Sequence, residues 1–264
     1  MNPLNIHTKI ETGDIVVPIK DAINPERKKL ETFPTGFSII DELLAKNGRG
    51  GFKDGDLIVI SGKSGNGKTL LALNLVKNFM DIGILSILFS YEVMIDNVYE
   101  TFEEMGVEEN PAIFTPKKNV SGDVGWIIEK VKEADQKYMS KIVVIDHLDF
   151  VTAKNITNDD FRRNEITNIV RELKDFAIRE NKIVILLAHI VKTREKKLQN
   201  EDIADCRAIN NLADYIMFMG REIGEDGDAT GNEGNLRLTK NRYTGKLDSM
   251  KFYVNNSIIN PYVR

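Results

Sequence analysis

The chain has 264 residues, a formal net charge of −4 and an isoelectric point near 5.6, with 42% hydrophobic and 29% charged residues. Its longest apolar runs fall far short of the roughly 20 residues that span a bilayer, and its overall charge excludes a surface coated in positive potential. Cys206 is the single cysteine, which excludes an internal disulfide framework, and the first 20 residues lack the basic start and apolar core of a secretory signal, so the expected compartment is the cytoplasm.

Residues 1–30 mix charge, proline and short apolar stretches without a sustained period, and read as an N-terminal arm ahead of one domain over 31–264. Within that domain Thr35–Ala45 (TGFSIIDELLA) predicts a short amphipathic helix, Asp56–Ser61 a buried strand, and Thr69–Met80 a helix made of strong helix formers. Further strands are predicted at Ile84–Ser90, Ile142–Ile145, Ile183–Ala188 and Tyr215–Met219, and further helices at Val124–Tyr138 and Asn164–Glu180. Strands that alternate with helices need crossover connections. The expected fold class is therefore α/β, with a mainly parallel sheet covered by helices on both faces. After Gly231 short strands at Asn235–Lys240, Lys251–Asn255 and Ser257–Ile259, separated by turn residues, predict C-terminal antiparallel strands.

Between the first buried strand and the following helix lies Gly62-Lys63-Ser64-Gly65-Asn66-Gly67-Lys68-Thr69, which matches the phosphate-loop pattern G-x-x-x-x-G-K-[ST] at every fixed position. Glycines let the backbone curl so that successive N–H groups face phosphate oxygens at the positive end of a helix. Lys68 then serves the β and γ phosphates of a nucleotide, and Thr69 gives a hydroxyl to Mg²⁺. Asp146 ends the apolar run Ile142–Ile145 at the edge of the sheet where ligands bind, and is the candidate partner of that metal. Glu92 ends another apolar strand and is the candidate base for water. His189 follows a third, where its ring would sense the terminal phosphate. The loop after it carries Lys192, Arg194, Lys196 and Lys197 against Glu195 alone, a pattern suited to gripping a nucleic-acid backbone.

The order of these motifs, together with Ala213-Asp214 before an apolar strand and Lys240-Asn241-Arg242, resembles the RecA-like P-loop NTPase motor domain of DnaB-type replicative helicases, in the phage and Twinkle-like branch that carries a His at the sensor position. Pro34-Thr35-Gly36-Phe37 with Asp41, and Phe89-Ser90-Tyr91-Glu92, resemble two further segments of that family. The likeness spans about Thr35 to Tyr262. It departs at Asp202–Ile209, where Ala204 and Arg207 replace the family's Arg and Gly. The resemblance implies an ATP-dependent DNA helicase that uses Mg²⁺ and acts on single-stranded DNA as a homo-oligomer, in the family a hexameric ring, in a bacterial or phage-infected cell. It also implies that Lys240 and Arg242 act on the nucleotide of a neighbouring subunit, that Tyr262 stacks on the base, and that a primase or helicase loader is a partner. A RecA or RadA-like recombination or repair ATPase, and a regulatory P-loop ATPase, are the alternative uses of the same core.

Overall fold

The computed structural model describes residues 31–46, 48–107, 113–118, 121–151, 159–189, 206–223 and 229–262. Two compact units divide the chain, Met1–Glu31 and Thr32–Arg264, and residues 1–30, read above as an arm, lie outside the described residues.

The second unit opens with a two-stranded antiparallel ribbon, β1 (Thr32–Phe33) and β2 (Phe52–Lys53), enclosing helix α1 (Ser38–Leu44). The Thr35-Gly36-Phe37 segment closes onto this helix through Asp41, whose Oδ1 accepts both the N–H and the hydroxyl of Thr35 at 2.8 Å. Gly36 has φ +82°, and a Cβ there would come within 2.4 Å of the Asn78 amide, so this turn needs glycine on both counts.

A nine-stranded sheet follows. Its parallel part consists of β3 (Leu57–Gly62), β4 (Ser86–Ser90), β5 (Ile113–Phe114), β6 (Ile142–Asp146), β7 (Ile183–His189) and β8 (Tyr215–Ile223). The antiparallel part continues through β9 (Ala229–Asn241), β10 (Ser249–Asn255) and β11 (Ile258–Pro261), giving the order β11-β10-β9-β8-β3-β7-β6-β4-β5. The central strands are apolar at consecutive positions along their middles because both faces are covered, and polar residues appear only toward their ends. Ile58 and Ile60 of β3 point to one core with Ile142, Val144, Ile185 and Leu187, whereas Leu57 and Val59 point to a second core with Val143, Ile145, Val184 and Leu186.

Two sets of helices close these cores. Helices α2 (Lys68–Asp81) and α3 (Ile95–Glu104) join α1 over the first face, through Leu71, Leu75, Phe79, Val98 and Phe102. Over the second lie α4 (Val124–Tyr138) and α6 (Asp159–Arg179), with Ile127, Val131, Ile166, Val170 and Leu173 inward at helical spacing, beside the short helices α5 (Leu148–Val151) and α7 (Cys206–Leu212). The α/β class, the parallel sheet covered on both faces and the C-terminal antiparallel strands agree with the sequence reading. Among the described residues no helix is long and apolar enough to cross a membrane.

Candidate functional site: a nucleotide pocket at one edge of the sheet

The parallel strands deliver their functional residues to a single edge. Gly62 lies opposite His189 in the pairing of β3 with β7, and Ser90 opposite Asp146 in the pairing of β4 with β6. Since β7 is inserted between β3 and β6, His189 stands between the phosphate loop and the acidic strand end. The structure thus brings Gly62–Thr69, Glu92, Asp146 and His189 together from four strands, as the C-terminal edge of an open α/β sheet does for its ligands.

The loop between β3 and α2 is shaped by its glycines. Gly65 and Gly67 have φ of +77° and +88°, in the left-handed region, and Gly67 caps α2. The first N–H groups of that helix have no intrahelical acceptor and face the pocket with the positive end of the helix dipole. At Gly62 the constraint is contact: a Cβ would lie 2.4 Å from the carbonyl oxygen of Met219 on β8. The Asn66 amide donates to the same carbonyl at 3.4 Å, so β8 packs against Gly62 and bonds the middle of the loop.

Lys68 is buried, and its ammonium donates to the carbonyls of Gly62 and Lys63, both at 3.1 Å. The cation is therefore already inside the loop, held by main-chain oxygens. Thr69 donates its hydroxyl to Oδ2 of Asp146 at 2.9 Å, while Oδ1 of Asp146 is buried without a hydrogen-bond partner among the described residues. Burial raises the Asp146 carboxyl from its usual 3.8 to about 6; the Thr69 hydroxyl and the Lys68 ammonium oppose that rise, and the Glu92 charge adds to it. A buried carboxylate with an unsatisfied oxygen, beside a hydroxyl and in front of a phosphate cradle, fits a hydrated hard cation that takes oxygen ligands.

Glu92 lies in the turn after β4, tied to the acidic strand by the bond from the Tyr91 N–H to the Asp146 carbonyl at 2.6 Å. Its Oε2 is 4.0 Å from Nε2 of His189. Sequence reading missed His147, the residue after Asp146. It is fully buried and its ring stacks on that of His189 at 3.6 Å and 26°. Burial first, then the neighbouring His189 and Lys68, lowers His147 to about 3, so its imidazole is neutral at physiological pH. The Asp-His pair was visible in the sequence, but the stacking depends on the adjacency of β6 and β7.

Three groups of predicted residues lie apart from this cluster. Lys240 donates to the Asn210 carbonyl, and Arg242 donates to Oδ1 of Asp214 at 3.1 Å and to the Asn211 carbonyl at 2.6 Å, so both are held by their own chain. Asp214 is buried, and its Oδ2 also accepts from the Leu57 N–H at 2.8 Å and from Lys174 at 2.5 Å. Tyr262 packs near Tyr253, with centroids 5.3 Å apart, and donates to Glu233 at 2.5 Å. It lines a cleft of about 270 Å³ with Arg221, whose Cδ is 3.8 Å from the Cβ position of Gly67, which places that cleft beside the phosphate loop. Lys192, Arg194, Lys196 and Lys197 lie outside the described residues.

A strand-loop-helix phosphate cradle, with an acid and a polar sensor on neighbouring parallel strands, defines a P-loop nucleotide-binding core of RecA-like architecture. The chain belongs to the family described as DnaB-like helicase C terminal domain, whose model matches residues 32–111 and 95–260. A probable plasmid replicative DNA helicase of Chlamydia psittaci is 26% identical over 245 residues, covering 81% of this chain and 52% of that protein. Among solved structures, one of an ATPase domain on its own superimposes with a TM-score of 0.76 at 19% identity, covering 93% of this chain and 96% of that one. A DnaB-like replicative helicase, studied with its interactions with primase, gives 0.74 at 20%, covering 92% and 64%. The chain spans about half the length of the curated relatives it matches.

Proposed function

We propose that this chain is the motor of a replicative DNA helicase, hydrolysing ATP at the boundaries between subunits of a homo-oligomeric ring, a hexamer, to move along single-stranded DNA and open the duplex. The observation that carries the reading is the distance between Arg242 and the chain's own phosphate loop. Arg242 is tied at the Leu57 end of β3 through Asp214, and the loop begins at Gly62, five residue steps away, or roughly 16 Å along the strand. A guanidinium placed there serves a phosphate held by a second copy, not its own. Such an arrangement ties hydrolysis in one subunit to the position of the next.

In this reading Lys68 leaves the carbonyls of Gly62 and Lys63 for the β and γ phosphates, and the N–H groups of Gly65, Gly67 and Lys68 cradle the same oxygens. Thr69 and Asp146 hold the magnesium shell; magnesium, when bound, neutralises charge on the phosphates. Glu92 accepts the proton of the attacking water, and His189 donates to the terminal phosphate. Lys240 and Arg242 stabilise charge on the neighbour's transferred phosphoryl. Tyr262 borders the base, and the loop with Lys192, Arg194, Lys196 and Lys197 follows the DNA backbone. Residues 1–30 form an arm outside the motor of 31–264, the compartment is the cytoplasm of a bacterial or phage-infected cell, and a primase or loader is the partner.

The test is strand displacement on a forked duplex with ATP. The wild-type chain should displace the strand, and Lys68→Ala should lose at least a hundredfold in rate. Equal displacement by the two proteins, or none by the wild type while it forms extended filaments on single-stranded DNA, overturns the reading.

A further inference from the structure

The ends of β4, β6 and β7 bring Glu92, His147 and His189 to one point. Each offers a ligand atom, and the three atoms lie within 4.8 Å of one another. Two imidazoles and one carboxylate are the ligand types and number of an open zinc centre, which keeps its fourth position for water or substrate. The adjacent Thr69–Asp146 pair offers oxygen alone and suits magnesium. Imidazole nitrogen instead favours zinc and its transition-metal neighbours.

We propose that Glu92, His147 and His189 form a second cation site, for zinc or a chemically similar divalent transition ion, beside the oxygen site for magnesium. Metal bonds of roughly 2.0–2.2 Å in a tetrahedron bring ligand atoms to about 3.3–3.6 Å from one another. The His189–Glu92 separation is 4.0 Å, so closure asks less than 1 Å of that pair, and the His189 ring must also turn out of its 3.6 Å stack on His147 so that both in-plane ring nitrogens face one ion. The freedom lies where closure needs it: the side chains of His189 and Glu92 are 30% and 39% exposed, and Glu92 sits in a turn, while His147 is fully buried and provides the fixed ligand. The carboxylates of Glu92 and Asp146 offset the Lys68 ammonium, which the Gly62 and Lys63 carbonyls also hold in the loop.

The consequence for activity rests on the proposed role of Glu92. A zinc ion on the Glu92 carboxylate withholds it from water and draws His189 away from the terminal phosphate, so zinc stops hydrolysis without occupying the magnesium site, and a chelator restores it.

Binding is measured first, without nucleotide, on the metal-free full chain. Titration with Co²⁺ should give the visible absorption of a four-coordinate site at one ion per chain, displaced by Zn²⁺. Glu92→Gln and His189→Asn, both at partly exposed positions, should each weaken Zn²⁺ binding at least tenfold, while Cys206→Ser leaves it unchanged. Absence of the Co²⁺ bands, or Zn²⁺ affinity unaltered in Glu92→Gln and His189→Asn, overturns the site. The hydrolysis arm is read separately: Zn²⁺ bound at this site with magnesium-dependent ATP turnover undiminished would overturn the base role of Glu92 and leave the site standing.

Discussion

Asp146 is a buried charge that the fold tolerates at a cost, and replacing it with asparagine should stabilise the nucleotide-free chain while destroying its activity. Burial raises its carboxyl from 3.8 to about 6. A rise of that size corresponds to roughly 3 kcal/mol at neutral pH. The folded chain holds the proton more tightly than the unfolded chain, so the contribution of this group is fully present below about pH 4 and is lost as the pH rises through about 6. Asparagine carries no charge at any pH, and its carbonyl can still accept from the Thr69 hydroxyl that now bonds Oδ2 at 2.9 Å. Allowing for imperfect replacement of the carboxylate, Asp146→Asn should gain about 1–3 kcal/mol at pH 8, several degrees in Tm for a domain of this size. At pH 5 the folded carboxyl is largely protonated while the unfolded one is still ionised, so the gap should shrink to about half of its value at pH 8. Thermal unfolding at the two pH values, without nucleotide or magnesium, reads this directly. A variant that melts at or below the wild-type temperature at pH 8, or a gain equal at both pH values, refutes the reasoning. Magnesium-dependent hydrolysis by the variant should be undetectable.

Glu92→Gln should bind ATP as tightly as wild type and hydrolyse it at least a hundredfold more slowly, as single-turnover assays would show; a normal rate would remove Glu92 from the base role. Asp214→Ala leaves Lys174 buried and deprived of its carboxylate, and should destabilise by about 3–5 kcal/mol in denaturant titrations. A loss below 1 kcal/mol would show that the cluster is not structural. Arg242→Ala should abolish turnover in uniform rings, yet rings mixed with Lys68→Ala subunits should regain part of it, because some boundaries then combine an intact phosphate loop with an intact Arg242. Mixed rings with no activity would point to a local role for Arg242.

How much of this was legible depended on whether a feature is local. The central strands announced themselves because burial on both faces forces apolar residues at consecutive positions, and the phosphate loop did so because its glycines and Lys68 act within eight residues. Strand β9 was read too short, as Asn235–Lys240 and not Ala229–Asn241, because Ala-Thr-Gly-Asn-Glu-Gly has the composition of a turn. Pairing with β8 and β10 overrides that preference, and a Cβ at Gly234 would come within 2.4 Å of the Phe252 ring. Helix α3 passed unnoticed since only Val98 and Phe102 of its ten residues are buried. The Asp214 cluster joins Leu57, Lys174 and Arg242 across 28 to 157 positions, a spacing that no window along the chain reveals.

Under the proposed function that cluster also bears on how one arginine is both a structural counter-ion and a group offered to a neighbour. Asp214 keeps two short bonds through Oδ2, from Lys174 and the Leu57 N–H, when Arg242 departs; what is lost is the 3.1 Å bond to Oδ1 and the 2.6 Å bond to the Asn211 carbonyl. The Arg242 side chain is 41% exposed while Asp214 is buried, so water screens their pairing from the arginine side and it is weaker than a fully buried ion pair. A bidentate contact from the same guanidinium to a phosphate at a closed subunit boundary is the stronger interaction, being charge-assisted and shielded from water. Exchange should therefore favour the neighbour whenever it carries ATP and return to Asp214 when the γ-phosphate has gone. Under the proposed function a resting contact of this kind keeps the guanidinium ordered between cycles while leaving it weak enough for nucleotide to displace.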